Sequence, residues 1–157
     1  MTVVIALGGN AVSRPGDGGV EAQRAAIRGA AEAIGQACTN QDVVITHGNG
    51  PHVGLLAMQG VAAGQSLPLD VLGAETEGML GYWIEQELRA TLHGRDVVAL
   101  LTQVEVREDD PAFKAPTKPI GPVVTIEAAE RLARELGWSF GDTAGGRRRL
   151  VASPGPH

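Results

Sequence analysis

Residues 43–54 read VVITHGNGPHVG. A short strand-forming run ends on Gly48, Asn49, Gly50 and Pro51, and the chain then resumes in residues suited to a helix. Glycine places no Cβ beside the backbone, so amide groups at such a strand end are able to turn toward an anion. The same event occurs earlier, where the apolar run of residues 3–7 stops on Gly8, Gly9 and Asn10. Short apolar runs without polar alternation are the pattern of buried parallel strands. Between them, residues 21–38 place Ala22, Ala26, Ala30, Ala33 and Ala37 along one face with Ile27 and Ile34 beside them. That spacing predicts a small-residue helix able to lie close against a sheet. Strand, helix and strand form a βαβ unit, right-handed on general grounds, and its two glycine loops leave the same sheet edge.

Working outward, residues 13–19 form a glycine-rich loop in which Pro15 discourages a helix. Residues 55–63 suit a short helix, 67–73 an extended connection, and 74–92 a longer helix with Met79, Leu80, Trp83, Ile84 and Leu88 in one stripe. Glu87 falls inside that stripe as a misfit. Residues 97–106 predict a third strand, apolar for its first five positions. In residues 108–122 four prolines oppose both a continuous helix and a central strand. Thr125 then caps a helix through Leu136 that Gly137 ends, and residues 147–151 suit a strand.

At 157 residues the chain is the size of one ordinary domain, and 43% hydrophobic with 20% charged residues is a globular composition. No apolar run approaches the roughly 20 residues of a membrane span, and the start lacks the pattern of a signal peptide. A cytoplasmic protein without membrane partners is the expectation. Cys38 is the sole cysteine, so no intrachain disulfide is expected, and no Cys/His spacing predicts a metal site. A net charge of −5 argues against general nucleic-acid binding.

Of thirteen basic residues only Lys114 and Lys118 are lysines, both within KAPTK. A chain that otherwise uses arginine singles out Lys118 as a place where a compact ammonium is needed. Lys114 reads as a surface lysine. Either glycine loop alone reads more readily as a tight strand-to-helix turn. The two loops and the singular lysine together favour a phosphate-like ligand and phosphoryl transfer, a chemistry that depends on positioning and charge neutralisation. His47 reads as a hydrogen-bonded structural histidine, Glu75 and Glu77 as favourable first-turn charges, and Arg147, Arg148 and Arg149 as a solvated basic strand.

Five stretches in order, ALGGNAV (6–12), THGNGPHVG (46–54), LDVLGAETEGMLGYWIEQEL (69–88), LLTQVEV (100–106) and DPAFKAPTKPIGPV (110–123), resemble the carbamate kinases of the amino-acid kinase family. The resemblance implies an α/β three-layer sandwich with a mostly parallel central sheet, ending before the nucleotide lobe. It implies residues 1–118 as the carbamate-binding lobe, 119–151 as a protruding lid-like subdomain and 152–157 as a tail. It also implies phosphate transfer between ATP and carbamate with Mg2+, giving ADP and carbamoyl phosphate, in either direction. By the same likeness Gly8, Gly9 and Asn10 cradle the transferred phosphate, and Gly48, Asn49 and Gly50 hold carbamate and that phosphoryl group. Lys118 offsets the repulsion between the two anions. The partners so implied are carbamate or carbamoyl phosphate, a second copy in a homodimer and a separate C-terminal lobe; the isolated chain is expected to be inactive without one. Three positions depart from the family pattern: His52 and Glu77 where glutamine is common, and Thr76 where serine is. Two alternatives stand beside this reading, a non-catalytic anion- or partner-binding module and an intact small kinase of another specificity.

Overall fold

The computed structural model describes residues 1–8, 12, 19–38 and 40–156. Two compact units emerge, Met1–Asn49 with Gly73–Leu101, and Gly50–Leu72 with Thr102–His157.

In the first unit, β1 (Thr2–Leu7) and β2 (Asp42–His47) pair in parallel, from Thr2 opposite Asp42 to Leu7 opposite His47. Helix α1 (Gly19–Ala37) connects them, as the βαβ reading requires. The long helix α3 (Leu69–Thr91) supplies the other wall from Gly73 onward. The core joins Val12, Ile27, Ala31 and Ile34 to Ile84 and Leu88, with Ile5, Leu7, Val43 and Ile45 packed against it. Burial alternates along both strands, so the expectation of strands buried on both sides holds for one face only. Val4 and Val44, on the other face, are 67% and 49% exposed.

Glu87, the misfit of the α3 stripe, is buried because α1 neutralises it. Arg28 Nε donates to Glu87 Oε2 at 3.0 Å, and Arg24 Nη2 lies 3.8 Å from Oε1. The hydrogen bond from Arg28 holds the Glu87 carboxyl below its ordinary pKa, against the opposing effect of desolvation. Arg95 closes the end of the unit, donating to the carbonyls of Cys38 and Gln41.

The third strand expected at residues 97–106 does not form. A strand needs a neighbour's backbone, and among the described residues no ladder forms along 97–105, while a single bridge joins Val106 to Pro156. Its apolar side chains stand out: Val98 is 75% and Leu100 77% exposed.

The second unit contains α2 (Gly50–Ala62) and an antiparallel sheet in the order β3 (Lys118–Val124), β5 (Gly146–Val151), β4 (Ser139–Thr143). Its core is Val53, Ala57, Leu72 and Ile120, with Leu56, Trp138 and Val151 against it. Helix α4 (Ile126–Leu136) is bounded as expected. The Thr125 side chain accepts from the Ala128 amide, and Gly137 takes a left-handed conformation at φ 67°.

Three expectations shift here. Helix α2 begins at Gly50 rather than residue 55, because Pro51 has no amide hydrogen to lose in a first turn and its fixed φ suits one. Helix α3 begins at Leu69 rather than 74, with the Leu72 amide donating to the Pro68 carbonyl at 3.1 Å and Asp70 favourably placed in the first turn. β3 forms despite Pro119 and Pro122 because it is an edge strand whose register breaks between Ile120 and Val124, a place where prolines are tolerated. β4 was not expected from the sequence, and its short polar run is stabilised by pairing with β5.

Candidate functional site

The two glycine loops leave neighbouring parallel strands at the same end. Gly8 follows β1 and Gly48 follows β2, and the Gly48 amide donates to the Leu7 carbonyl at 3.3 Å. A Cβ added at either glycine would meet nothing within 4 Å among the described residues. Gly9 and Asn10 lie outside the described residues.

Asn49 is fixed from behind by α3. Its Nδ2 donates to Thr76 Oγ1 at 2.9 Å and lies 3.5 Å from the Gly73 carbonyl, while the Thr76 hydroxyl donates to that same carbonyl at 2.9 Å. Thr76 is fully buried. Its hydroxyl therefore serves as donor to its own helix and acceptor for the loop, a dual role open only to a hydroxyl at this position. In the sequence Thr76 stands out only as a departure from the family pattern. The available signal was a small hydroxyl residue three positions after a helical glycine.

In the second unit, Gly50 opens α2. A Cβ there would lie 3.9 Å from both the Pro119 carbonyl oxygen and Ile120 Cγ2, so the start of α2 sits beside the residues that follow Lys118. Lys118 is the first residue of β3, its backbone in register with Val151 and its side chain exposed. Thus Gly50 and the Lys118 segment are neighbours, while Gly8, Gly48 and Asn49 belong to the first unit. His52, in the first turn of α2, is buried.

The backbone of α2 meets that of β3 with no side chain between them. A Cβ on Gly54 would fall 2.0 Å from Gly121 Cα, and one on Gly121 would fall 2.9 Å from Gly54 Cα. Gly121 also has φ 73°.

The three arginines expected to form a solvated basic strand each have an intramolecular partner. Arg147 Nε donates to Asp142 at 2.8 Å, and Arg149 lies over the Trp138 ring at 3.6 Å from its centroid. Burial there lowers the Arg149 pKa from its ordinary value. Arg148 donates through Nε and Nη2, at 2.9 and 2.6 Å, to the Gly121 carbonyl. The structural role read for His47 is not met by a hydrogen bond at Nδ1, which is buried without a partner among the described residues. Among those residues no group of three His, Cys, Asp or Glu side chains lies together to hold a metal ion. Among the described residues no helix is long and apolar enough to cross a membrane.

A parallel strand pair ending in glycine loops, with helices packed on it, fits a class of small-molecule kinases. The chain belongs to the amino acid kinase family, whose model matches residues 1–136. Among its relatives, carbamate kinase of Haemophilus influenzae is 54% identical over 160 residues, covering 99% of this chain and 52% of that protein. Carbamate kinase of Rhizobium meliloti is 50% identical, covering 99% and 49%. Among solved structures, carbamate kinase from Giardia lamblia bound to AMP-PNP superposes with a TM-score of 0.79 at 38% identity, covering 99% of this chain and 53% of that one. The same enzyme bound to citric acid gives 0.86 at 36% identity, covering 99% and 54%. The chain spans about half the length of the curated relatives it matches.

Proposed function

We propose that this chain carries the carbamate-handling half of a carbamate kinase. In that reaction a carbamate oxygen attacks the terminal phosphorus of ATP as the bond to the ADP oxygen breaks, and the reverse step forms ATP from carbamoyl phosphate and ADP. The observation that carries the reading is the 54% identity to a carbamate kinase across 99% of the chain. Glycine strand ends that leave room for a ligand among the described residues, beside a side chain pinned at Asn49, agree with it.

In this reading Gly8, Gly9 and Asn10 cradle the transferred phosphoryl group. Gly48, Asn49 and Gly50 hold carbamate against it, with no Cβ beside the amides of the two glycines. Lys118 supplies the positive charge that lets two anions approach, and residues 119–151 act as a lid that keeps water from the labile product, with 152–157 as a tail. ATP and ADP are the co-substrates, and Mg2+ accompanies them as it does in phosphoryl transfer generally. Among the described residues no group of three His, Cys, Asp or Glu side chains lies together to hold the ion. The working form is a homodimer in the cytoplasm, completed by a lobe that supplies the nucleotide site.

The test is ATP formation from ADP, Mg2+ and carbamoyl phosphate by this chain co-expressed with the C-terminal half of the Haemophilus influenzae relative. Activity that requires both halves and disappears in Lys118→Ala is the expected result. Activity indifferent to Lys118→Ala would remove that residue from the chemistry.

A further inference from the structure

The register break in β3 leaves a carbonyl in need of a donor. Lys118, Pro119 and Ile120 pair with Val151, Leu150 and Arg149, and pairing resumes only at Val124 opposite Arg147. Gly121 lies inside the break, and on its other side the Gly54 backbone of α2 approaches too closely for any side chain. Its carbonyl is met by Arg148, which reaches across from β5 with two donors of its guanidinium fork. A charged donor pair on one buried carbonyl is a strong and directional contact. Bulges of this kind redirect the strand that carries them.

We propose that Arg148 is a positioning residue for Lys118. By clamping the Gly121 carbonyl it holds the bulge against α2, and so fixes the strand segment that begins at Lys118 beside the turn at Gly50. The contact pattern favours this over a plain structural arginine. Arg147 and Arg149, its neighbours on the same strand, hold a side chain and a ring; Arg148 holds the backbone that meets α2, three residues along β3 from Lys118. The proposal rests on the catalytic reading of Lys118 for its importance, though its geometry stands without it.

Because the chain has only two lysines, the test is direct. The folded chain is labelled with an amine-reactive reagent, and the rates at Lys118 and Lys114 are compared by mass spectrometry in wild type, Arg148→Ala, Arg148→Gln and Arg148→Lys. Each is read with and without carbamoyl phosphate and alongside its melting temperature. The expected result is a Lys118-to-Lys114 rate ratio changed by roughly threefold or more in Arg148→Ala and Arg148→Gln, the lower range of a positioning effect. Partial return is expected in Arg148→Lys, where a point charge replaces the planar fork. A ratio unchanged in every folded variant, or one that moves only in step with melting temperature, overturns the proposal. Should Arg148→Ala fail to fold, the Gln and Lys variants decide. Failure of carbamoyl phosphate to protect Lys118 in wild type would count against the catalytic reading instead, and the ligand-free ratio would still judge Arg148.

Discussion

Thr76 Oγ1 lies 2.9 Å from Asn49 Nδ2, and the same hydroxyl donates to the Gly73 carbonyl one helical turn back. A loop of glycines has no side chains of its own to define its shape. This contact lends it the rigidity of α3 at its one residue with a polar side chain.

Thr76→Val keeps the shape and removes the hydroxyl. Leaving the Asn49 amide without that acceptor is expected to cost about 1–3 kcal/mol in chemical denaturation. Carbamoyl phosphate affinity should fall about tenfold, the equivalent of roughly 1.4 kcal/mol. Thr76→Ser loses a buried methyl and so also some stability, but it keeps both hydrogen bonds and is expected to bind like wild type. Equal binding by all three would mean that Asn49 does not depend on α3.

The Gly54–Gly121 approach makes a sharper claim. Gly54→Ala would place a methyl 2.0 Å from Gly121 Cα, a backbone clash that no rotamer relieves. A loss of about 3 kcal/mol or more is expected in urea unfolding. Gly29→Ala is the control: it is exposed in α1, with nothing within 4 Å of the added carbon. There a gain of about 0.5–1 kcal/mol is expected.

Glu87 sets a pH dependence. Its folded pKa is depressed by Arg28, so its contribution is fully present above the ordinary glutamate value of about 4.3 and is lost as pH falls through the lower folded value. Arg28 is largely solvated, which keeps the effect of the pair small. Glu87→Gln is therefore expected to melt below wild type at pH 7 and to converge with it in acid. A constant gap from pH 7 into acid would show that charge is not the cause.

Much of this was legible in the sequence. The two strands, helix α1 and the Thr125 and Gly137 caps are local signals, and each appears where its residues place it, although α1 buries Ile27, Ala31 and Ile34 while Ala33 and Ala37 of the expected alanine face are exposed. The misses have a common physical origin in contacts between distant residues. Glu87 looked misplaced until α1 brought Arg28 to it; Thr76 looked incidental until Asn49 reached it. The basic run at 147–149 became three separate intramolecular contacts, and β3 escaped notice because a bulge, invisible in composition, accommodates its prolines. Residues 97–106 failed in the opposite sense, since a strand-like sequence has no ladder without a neighbour.

That exposed segment has its own consequence. Val98, Leu100 and Leu101 are 75%, 77% and 66% exposed on an unpaired stretch, a setting that invites association between chains. Leu100→Lys is expected to reduce self-association in light scattering while changing stability by no more than about 0.5 kcal/mol. A large drop in melting temperature would show instead that Leu100 is packed.

Calorimetric titration of carbamoyl phosphate into the 157-residue chain, with inorganic phosphate as comparison, bears most directly on the proposed site. Saturable binding, weakened about tenfold or more in Lys118→Ala and untouched in Lys114→Ala, is the result that the proposed role of Lys118 predicts. No binding, or equal binding in both lysine variants, would contradict it.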